Sequence, residues 1–277
     1  YYGHTGQEFA FASELKALRA LPGVCFETDQ DALALMLRFG YVPAPYSIYR
    51  GIYKLGPGML IRITGNGQYS APEPWWSYTA AARKATANRL EISDGQALEV
   101  LETLLRAAIG EQMVADVPLG ALLSDGIDSS MVVALMQQQS SRSIRTFTIG
   151  FDQGKYNEAS HAKAVARHLR TEHTELYVNQ AHARDIIPHL PDIYDEPFAD
   201  SSQIPTALVC ALTKQHVTVC LSGDAGDELF GGYNRYIWAS SLWGRVARVP
   251  PFIRRSSAGF LAAIPAYAWN NIYGVIN

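Results

Sequence analysis

Residues 117–130, VPLGALLSDGIDSS, decide how the rest of the chain is read. Val117 to Leu123 is an apolar run of strand length, and Ser124-Asp125-Gly126 is turn chemistry. In the following IDSSMVVALMQQQ the apolar residues are Ile127, Met131, Val132, Ala134, Leu135 and Met136, with Asp128, Ser129 and Ser130 as candidate helix caps. The expectation is a strand, a tight loop and a helix. Such a unit aims unpaired backbone N–H groups and the positive end of a helix at the loop, where phosphate is the usual occupant. The Lys of the G-x-x-x-x-G-K-[ST] loop is missing, which excludes that common phosphate loop.

Working outward toward the C-terminus, the pattern is regular. A helix is predicted over Gln96–Ile109, with Leu98, Leu101, Leu104, Leu105 and Ile109 on one face. Strands are predicted at Arg145–Phe151, His173–Val178 and Val217–Leu221. Helices are predicted at Glu158–Leu169, at Ala181–Tyr194 with a break near Pro188 and Pro191, and at Pro205–Lys214. Strands alternating with helices imply a parallel sheet covered on both faces. Ligands of such sheets sit beyond the carboxyl ends of the strands, so three loops should converge: 124–130, 150–157 and 222–233.

The third loop, SGDAGDELFGGYNRY, carries glycines that admit close backbone approach, and it places Asp224, Asp227 and Glu228 within five residues. Carboxylates beside a phosphate would repel it unless a cation lies between, and Mg²⁺ is the hard cation suited to that bridge. A solvated acidic turn is the bland alternative, and it weakens once Asp128 on the first loop is counted. YDEPFADSS, residues 194–202, reads most simply as a helix start capped by Ser201 or Ser202.

Toward the N-terminus the texture changes. A short helix is predicted within Phe9–Leu21 behind Ser13, and a second from Asp29 or Asp31 to Phe39. Residues 41–69 are rich in Pro, Gly and aromatics, with a strand at Met59–Ile63 and a hairpin-like turn at Gly65-Asn66-Gly67. Composition alone leaves this region as an irregular cap on the main domain. Ala80 to Ser93 is polar and aperiodic and reads as a linker.

With 277 residues, 48% hydrophobic and 18% charged, the chain has the composition of a soluble globular protein of one large or two modest domains. Its formal charge of −3 gives no reason to expect a nucleic acid or a membrane surface as partner. No run approaches the roughly 18 apolar residues that span a bilayer. No signal peptide is visible in the first ten residues, and a start without Met suggests that the true N-terminus lies elsewhere. Cys25, Cys210 and Cys220 lack metal spacing and read as buried free thiols, as suits a reducing cytoplasm. His161, His168, His173, His182 and His189 read as scattered surface residues, without the spacing of zinc ligands.

The first loop resembles the SGGxDS pyrophosphate loop of the N-type ATP pyrophosphatases, with Asp125 in place of the second Gly. LSGDAGDELFGGY follows about ninety residues later, and FASELKAL and YVPAPYSIYRGIYKLGPG stand near the start. With these, essentially the whole chain resembles the glutamine-hydrolysing asparagine synthetases. The resemblance implies an α/β fold, a doubly wound parallel sheet of the adenine nucleotide α-hydrolase (ATP pyrophosphatase) type. Before it would stand the remnant of an α+β N-terminal nucleophile glutaminase domain. Residues 1–78 would belong to the glutaminase, 79–94 to the linker and 95–277 to the synthetase.

By the same resemblance Ser124, Gly126, Asp128, Ser129 and Ser130 hold the pyrophosphate portion of ATP, in a loop where Asp125 is the departure. Leu122, Ile149, Ser222 and Gly223 fall where the family contacts adenosine, largely through backbone. Asp128 and Asp227 match the magnesium-bridging pair, and Asp224 lies close to the reacting acyl group, so Asp224, Asp227 and Glu228 are the candidate catalytic residues. The reaction implied is attack of a carboxylate, L-aspartate above all, on the α-phosphorus of ATP. Pyrophosphate leaves, ammonia from glutamine captures the acyl-adenylate, and AMP is released. The partners implied are these small molecules, neither nucleic acid nor membrane, in a cytoplasmic enzyme whose assembly as a homodimer is compatible with the sequence.

Departures from the family pattern set the alternatives. YDEPFADSS falls on the acceptor side of the family's active site, with Pro197 and Asp200 where some members carry Thr and Arg. That admits another acid, of a cell-envelope or natural-product pathway, while Asp125 admits a catalytically impaired nucleotide-binding protein. The family's N-terminal Cys nucleophile does not precede Tyr1, and Cys25 has no visible partner base, so no glutaminase activity is expected of this stretch. A Lys-Asp-Arg type segment after GGYNRY is also missing, and the sequence is expected to be incomplete at both ends.

Overall fold

In the computed structural model, which describes residues 1–5, 8–151, 159–265 and 268, backbone contacts group the chain into two units, Tyr1–Ser222 and Gly223–Asn277. The first unit opens with β1 (Tyr2–Thr5) and β2 (Glu8–Phe11), followed by α1 (Leu15–Arg19), α2 (Gln30–Phe39), β3 (Ile52–Tyr53), β4 (Met59–Leu60) and β5 (Glu73–Pro74). β2, β1 and β3 form one antiparallel sheet in that order, and β4 pairs with β5. The helix expected from Phe9 is shorter than its pattern suggests, because Phe9 and Phe11 pair across to His4 and Tyr2 as strand. α1 begins only at Leu15, and its N-cap is Glu14 rather than Ser13.

Of the two candidate caps of α2, Asp29 is the one used. Its Oδ1 accepts from the N–H groups of Asp31 and Ala32 at 2.9 and 3.1 Å, while Gly40 at φ 80° ends the helix. Leu15, Leu18, Ala32, Val42, Ile48 and Ile52 close a core beneath these elements. The predicted linker is partly regular: α3 (Tyr78–Ala87) is helical, capped by Ser77, and has no buried residue.

α4 (Asp94–Gln112) starts from a capping box of Ser93 and Gln96. Its predicted inward face is only partly used, since Ile109 is buried while Leu98 and Leu104 stay more than 60% exposed. β6 (Leu119–Leu122), α5 (Ile127–Gln139), β7 (Arg145–Phe151), α6 (Ala159–Leu169) and β8 (Glu172–Val178) come next. They are followed by α7 (Gln180–Ile186), a 3₁₀ turn at Ile187–His189, α8 (Leu190–Tyr194), α9 (Gln203–Thr213) and β9 (Val219–Leu221). Pro188 and Pro191 sit in the first turns of the short helical pieces, where a missing N–H costs nothing.

The sheet order is β8-β7-β6-β9 with every pair parallel, so the unit is mixed α/β as expected. Successive residues of β6 feed opposite faces. Ala121 and Leu123 join Ile109, Val133, Met136, Ala162 and Ala166 on the side of α4, α5 and α6. Leu122 joins Phe147, Leu212 and Val217 on the side of α9. A strand apolar on both faces is what a helix-covered parallel sheet requires.

Two expectations about side chains are corrected. The cysteines are free, but Cys25 and Cys210 are exposed and only Cys220 is half-buried. His173 lies on β8 rather than at a surface position, and its Nδ1 stands 2.9 Å from Thr146 Oγ1. In the second unit α10 (Gly226–Phe230), α11 (Asn234–Val246) and α12 (Pro251–Ala263) follow one another. Among the described residues no helix is long and apolar enough to cross a membrane.

Candidate active site

β6 is the strand at which the winding of the sheet reverses. The chain runs outward from it through β7 to β8, then returns to add β9 on its other side. A crevice at the carboxyl ends of β6 and β9 follows from that reversal, and it is where open α/β sheets take their ligands. The registers fix what reaches it. Leu122 pairs with Phe147, Ala121 pairs with Leu221, and Ser222 and the Ser124–Gly126 loop therefore emerge side by side. Ile149 lies two residues beyond the β6 pairing on β7, at the same edge. Of the middle loop only Gly150 and Phe151 are described, and 152–158 lie outside the described residues.

α5 begins earlier than the candidate caps suggest. Gly126 is the N-cap, and no side chain hydrogen-bonds to the first-turn N–H groups. Those of Ile127, Asp128 and Ser129 therefore point out of the helix start without a capping partner, the condition under which an anion binds. The serines are turned inward to build the loop. Ser124 N–H donates to Ser129 Oγ at 3.2 Å, the two hydroxyls lie 2.9 Å apart, and Gly126 N–H donates to Ser124 Oγ at 3.1 Å. Ser129 and Ser130 hydroxyls both donate to Gly126 O, at 3.2 and 2.8 Å. Ser129 is buried, in a bracing role that no local pattern announces.

Asp125 is exposed at the tip of this loop. The described non-glycine residues with left-handed φ are Arg170, Asp195 and Ala225, so position 125 does not need the conformational freedom of glycine. Asp128 is half-buried in the first turn of α5, and among the described residues no hydrogen bond or ion pair occupies its carboxylate.

In the second unit, Gly226 N–H donates to Gly223 O at 3.2 Å, which closes a turn over Asp224 and the left-handed Ala225. Asp227 sits against the backbone of Gly232, whose N–H donates to Asp227 O at 3.0 Å. A Cβ at position 232 would run into the Asp227 carboxylate. Glu228 Oε1 accepts from Tyr233 Oη at 2.8 Å, which pushes the tyrosine's pKa upward. The turn thus holds two of its acidic residues by glycine and tyrosine contacts of its own.

YDEPFADSS leads into α9 as its simplest reading expects, with Ser202 at the N-cap, but its hydrogen bonding differs. Neither Ser201 nor Ser202 caps α9 with its hydroxyl. Asp200 Oδ1 accepts from Ser202 N–H at 2.8 Å, and that bond holds the Asp200 carboxyl below the usual range. Asp195 and Glu196 are buried at their carboxylates, 4% and 7% exposed, against residues from the first fifth of the chain.

Compared with known proteins, residues 100–272 match the family model described as asparagine synthase, and residues 1–76 match that of a glutamine amidotransferase domain. A Methanocaldococcus jannaschii protein provisionally named glutamine-hydrolysing asparagine synthetase 2 is 35% identical over 257 residues, which is 92% of this chain and 48% of that one. The glutamine-hydrolysing asparagine synthetase 1 of Bacillus subtilis is 30% identical over 265 residues, 96% of this chain and 40% of its own length. The chain spans about half the length, or less, of these relatives. Because the first match runs over more than half of the sequence and takes in both the 124–130 and the 222–233 loops, this chain belongs to the asparagine synthase family.

Proposed function

We propose that this chain is the ATP-using portion of a glutamine-dependent amide-forming ligase, together with the end of its glutaminase module. Residues 1–78 would lie in the glutaminase, 79–94 would connect, and 95–277 would form a synthetase domain of the adenine nucleotide α-hydrolase type; the matches over residues 1–76 and 100–272 support a division into two such parts without fixing its bounds. The observation that carries this reading is the uncapped start of α5 behind Gly126 at the point where the sheet reverses. There the N–H groups of residues 127–129 would receive the pyrophosphate portion of ATP, and the Ser124–Ser129 bridge would keep them aimed. Leu122, Ile149, Ser222 and Gly223 would border the adenosine.

The acceptor would be L-aspartate, the acid whose side-chain amide is the asparagine that gives the relatives their name. Its carboxylate would attack the α-phosphorus with departure of pyrophosphate, and ammonia released from glutamine would then attack the acyl carbon of the resulting acyl-adenylate and displace AMP. Asp128 and Asp227 offer hard oxygen donors that no hydrogen bond or ion pair occupies among the described residues, and they suit Mg²⁺. When bound, that ion would offset the charge between carboxylates and phosphates. Asp224 and Glu228 would face the acyl group from the same turn.

The test is pyrophosphate release by the full-length enzyme from ATP, Mg²⁺ and ammonia with a panel of acids, led by L-aspartate. Asp128→Asn and Asp227→Asn should each weaken ATP binding by about tenfold or more, the effect of losing one charged ligand. Binding that is independent of metal and unchanged in both variants removes the metal pair. Release supported by a different acid replaces aspartate.

A further inference from the structure

Residues 193–199 touch the first 54 residues at four separate places. Lys16 donates its backbone N–H to Asp195 Oδ2 at 3.2 Å, and its ammonium lies 3.3 Å from both that oxygen and Ile193 O. Ile48 N–H donates to Glu196 Oε1 at 2.8 Å. Tyr1 Oη donates to Glu196 Oε2 at 3.3 Å, and Lys54 forms an ion pair with the same oxygen while donating to Val42 O at 2.5 Å. Ala199 N–H donates to Gly40 O at 2.7 Å. Burial, and then Glu196 beside it, push the Tyr1 hydroxyl well above its ordinary pKa, so it stays a donor.

Two features set this seam apart from an ordinary surface ion pair. Both carboxylates are more than nine-tenths buried, and one Asp195 oxygen has no hydrogen-bond partner among the described residues. Asp195 also holds a φ of 63°, which side-chain-bearing residues adopt only when their surroundings impose it. A charged, strained dipeptide placed where neutral residues would pack more cheaply points to a role other than stability. On the other side of the seam, Tyr194 Oη donates to Gln203 O, the first residue of α9. α9 packs its Leu212 on Phe147 of the parallel sheet, and its end leads through Val217 to β9 and Ser222.

We infer that Glu196, with Asp195, is a positioning residue that holds the amidotransferase-like segment in register with α9, and so ties glutamine use to events at the edge of β9. This rests on the proposed function and names the residues through which its two halves communicate. The Glu196 carboxylate faces the first 54 residues and not the crevice. A cavity of about 380 Å³ beside it, lined by Tyr41, Val42, Tyr194, Pro197 and Phe198, can admit water where the pair is broken, so substitution here need not unfold the protein.

The test uses the full-length enzyme as wild type, Glu196→Gln, Lys54→Met and the double variant. Pyrophosphate release driven by added ammonia should stay near the wild-type rate in Glu196→Gln. The glutamate produced per pyrophosphate with glutamine as donor should rise by about fivefold, the low end of ordinary coupling between two sites. Removing both charges in the double variant should return the ratio part of the way, because neither partner is then left buried alone. An unchanged ratio at a normal ammonia-driven rate overturns the inference and leaves the proposed function standing. A wild type that releases no pyrophosphate with ammonia overturns the proposed function, and this inference with it.

Discussion

Asp125 shows how far a single residue can be judged before its surroundings are known. Where the related loops carry Gly, an Asp raises two objections, conformation and charge. The structure answers the first, because position 125 is not left-handed. The second persists, as a carboxylate about 4 Å from a phosphate in water is opposed by about 1 kcal/mol, roughly fivefold in affinity. Asp125→Gly is therefore expected to tighten ATP binding several-fold at saturating magnesium, measured by calorimetric titration. A loss of affinity would instead assign the carboxylate to holding the metal. The sequence did flag this position. Ser129 was flagged only as a cap and phosphate residue, because its role as a brace depends on the hydroxyl of Ser124 lying 2.9 Å away.

Among the elements, β7 and β8 are joined by a polar cluster that periodicity does not reveal. Thr146 Oγ1 lies 2.9 Å from both Thr171 Oγ1 and His173 Nδ1, and His173 Nε2 is buried without a partner among the described residues. Burial lowers the His173 pKa from its ordinary 6.5; Glu175 acts against this shift and Lys163 with it. The folded chain thus favours the neutral ring. As pH falls through 6.5 the unfolded chain takes up its proton first, and stability is lost until the lowered folded value is passed. Thermal melts should show the midpoint falling as pH drops below 6.5, and His173→Gln should flatten that part of the curve. A curve equally steep in the variant would place the sensitivity elsewhere. The strand positions themselves were legible because alternation is local, whereas the α1 boundary was not. Phe9 and Phe11 fit a helix or a strand equally well until β1 lies beside them.

Across the molecule, the first 76 residues and the parallel sheet share one compact unit although the stretch joining them is open to solvent. Residues 78–100 are exposed throughout, and α3 is a ten-residue helix with no buried residue, a length that is marginal alone in water. Trypsin under native conditions should cut first at Arg83, Lys84 or Arg89, and the two fragments should still elute together in gel filtration, held by Asp195 and Glu196. Fragments that separate at once would mean that the seam carries little. By itself the sequence determined the strand–loop–helix at 117–139, the alternation that makes a parallel sheet, and the absence of a loop lysine, because each is written in a window of a few turns. Only the tertiary structure decided that β9 returns beside β6, that Ser129 faces inward, and that an acidic dipeptide read as part of a helix start buries its charges. The physical reason is separation along the chain: Glu196 meets the Ile48 amide across 148 residues, and no local pattern announces a carboxylate whose partners arrive from that far away.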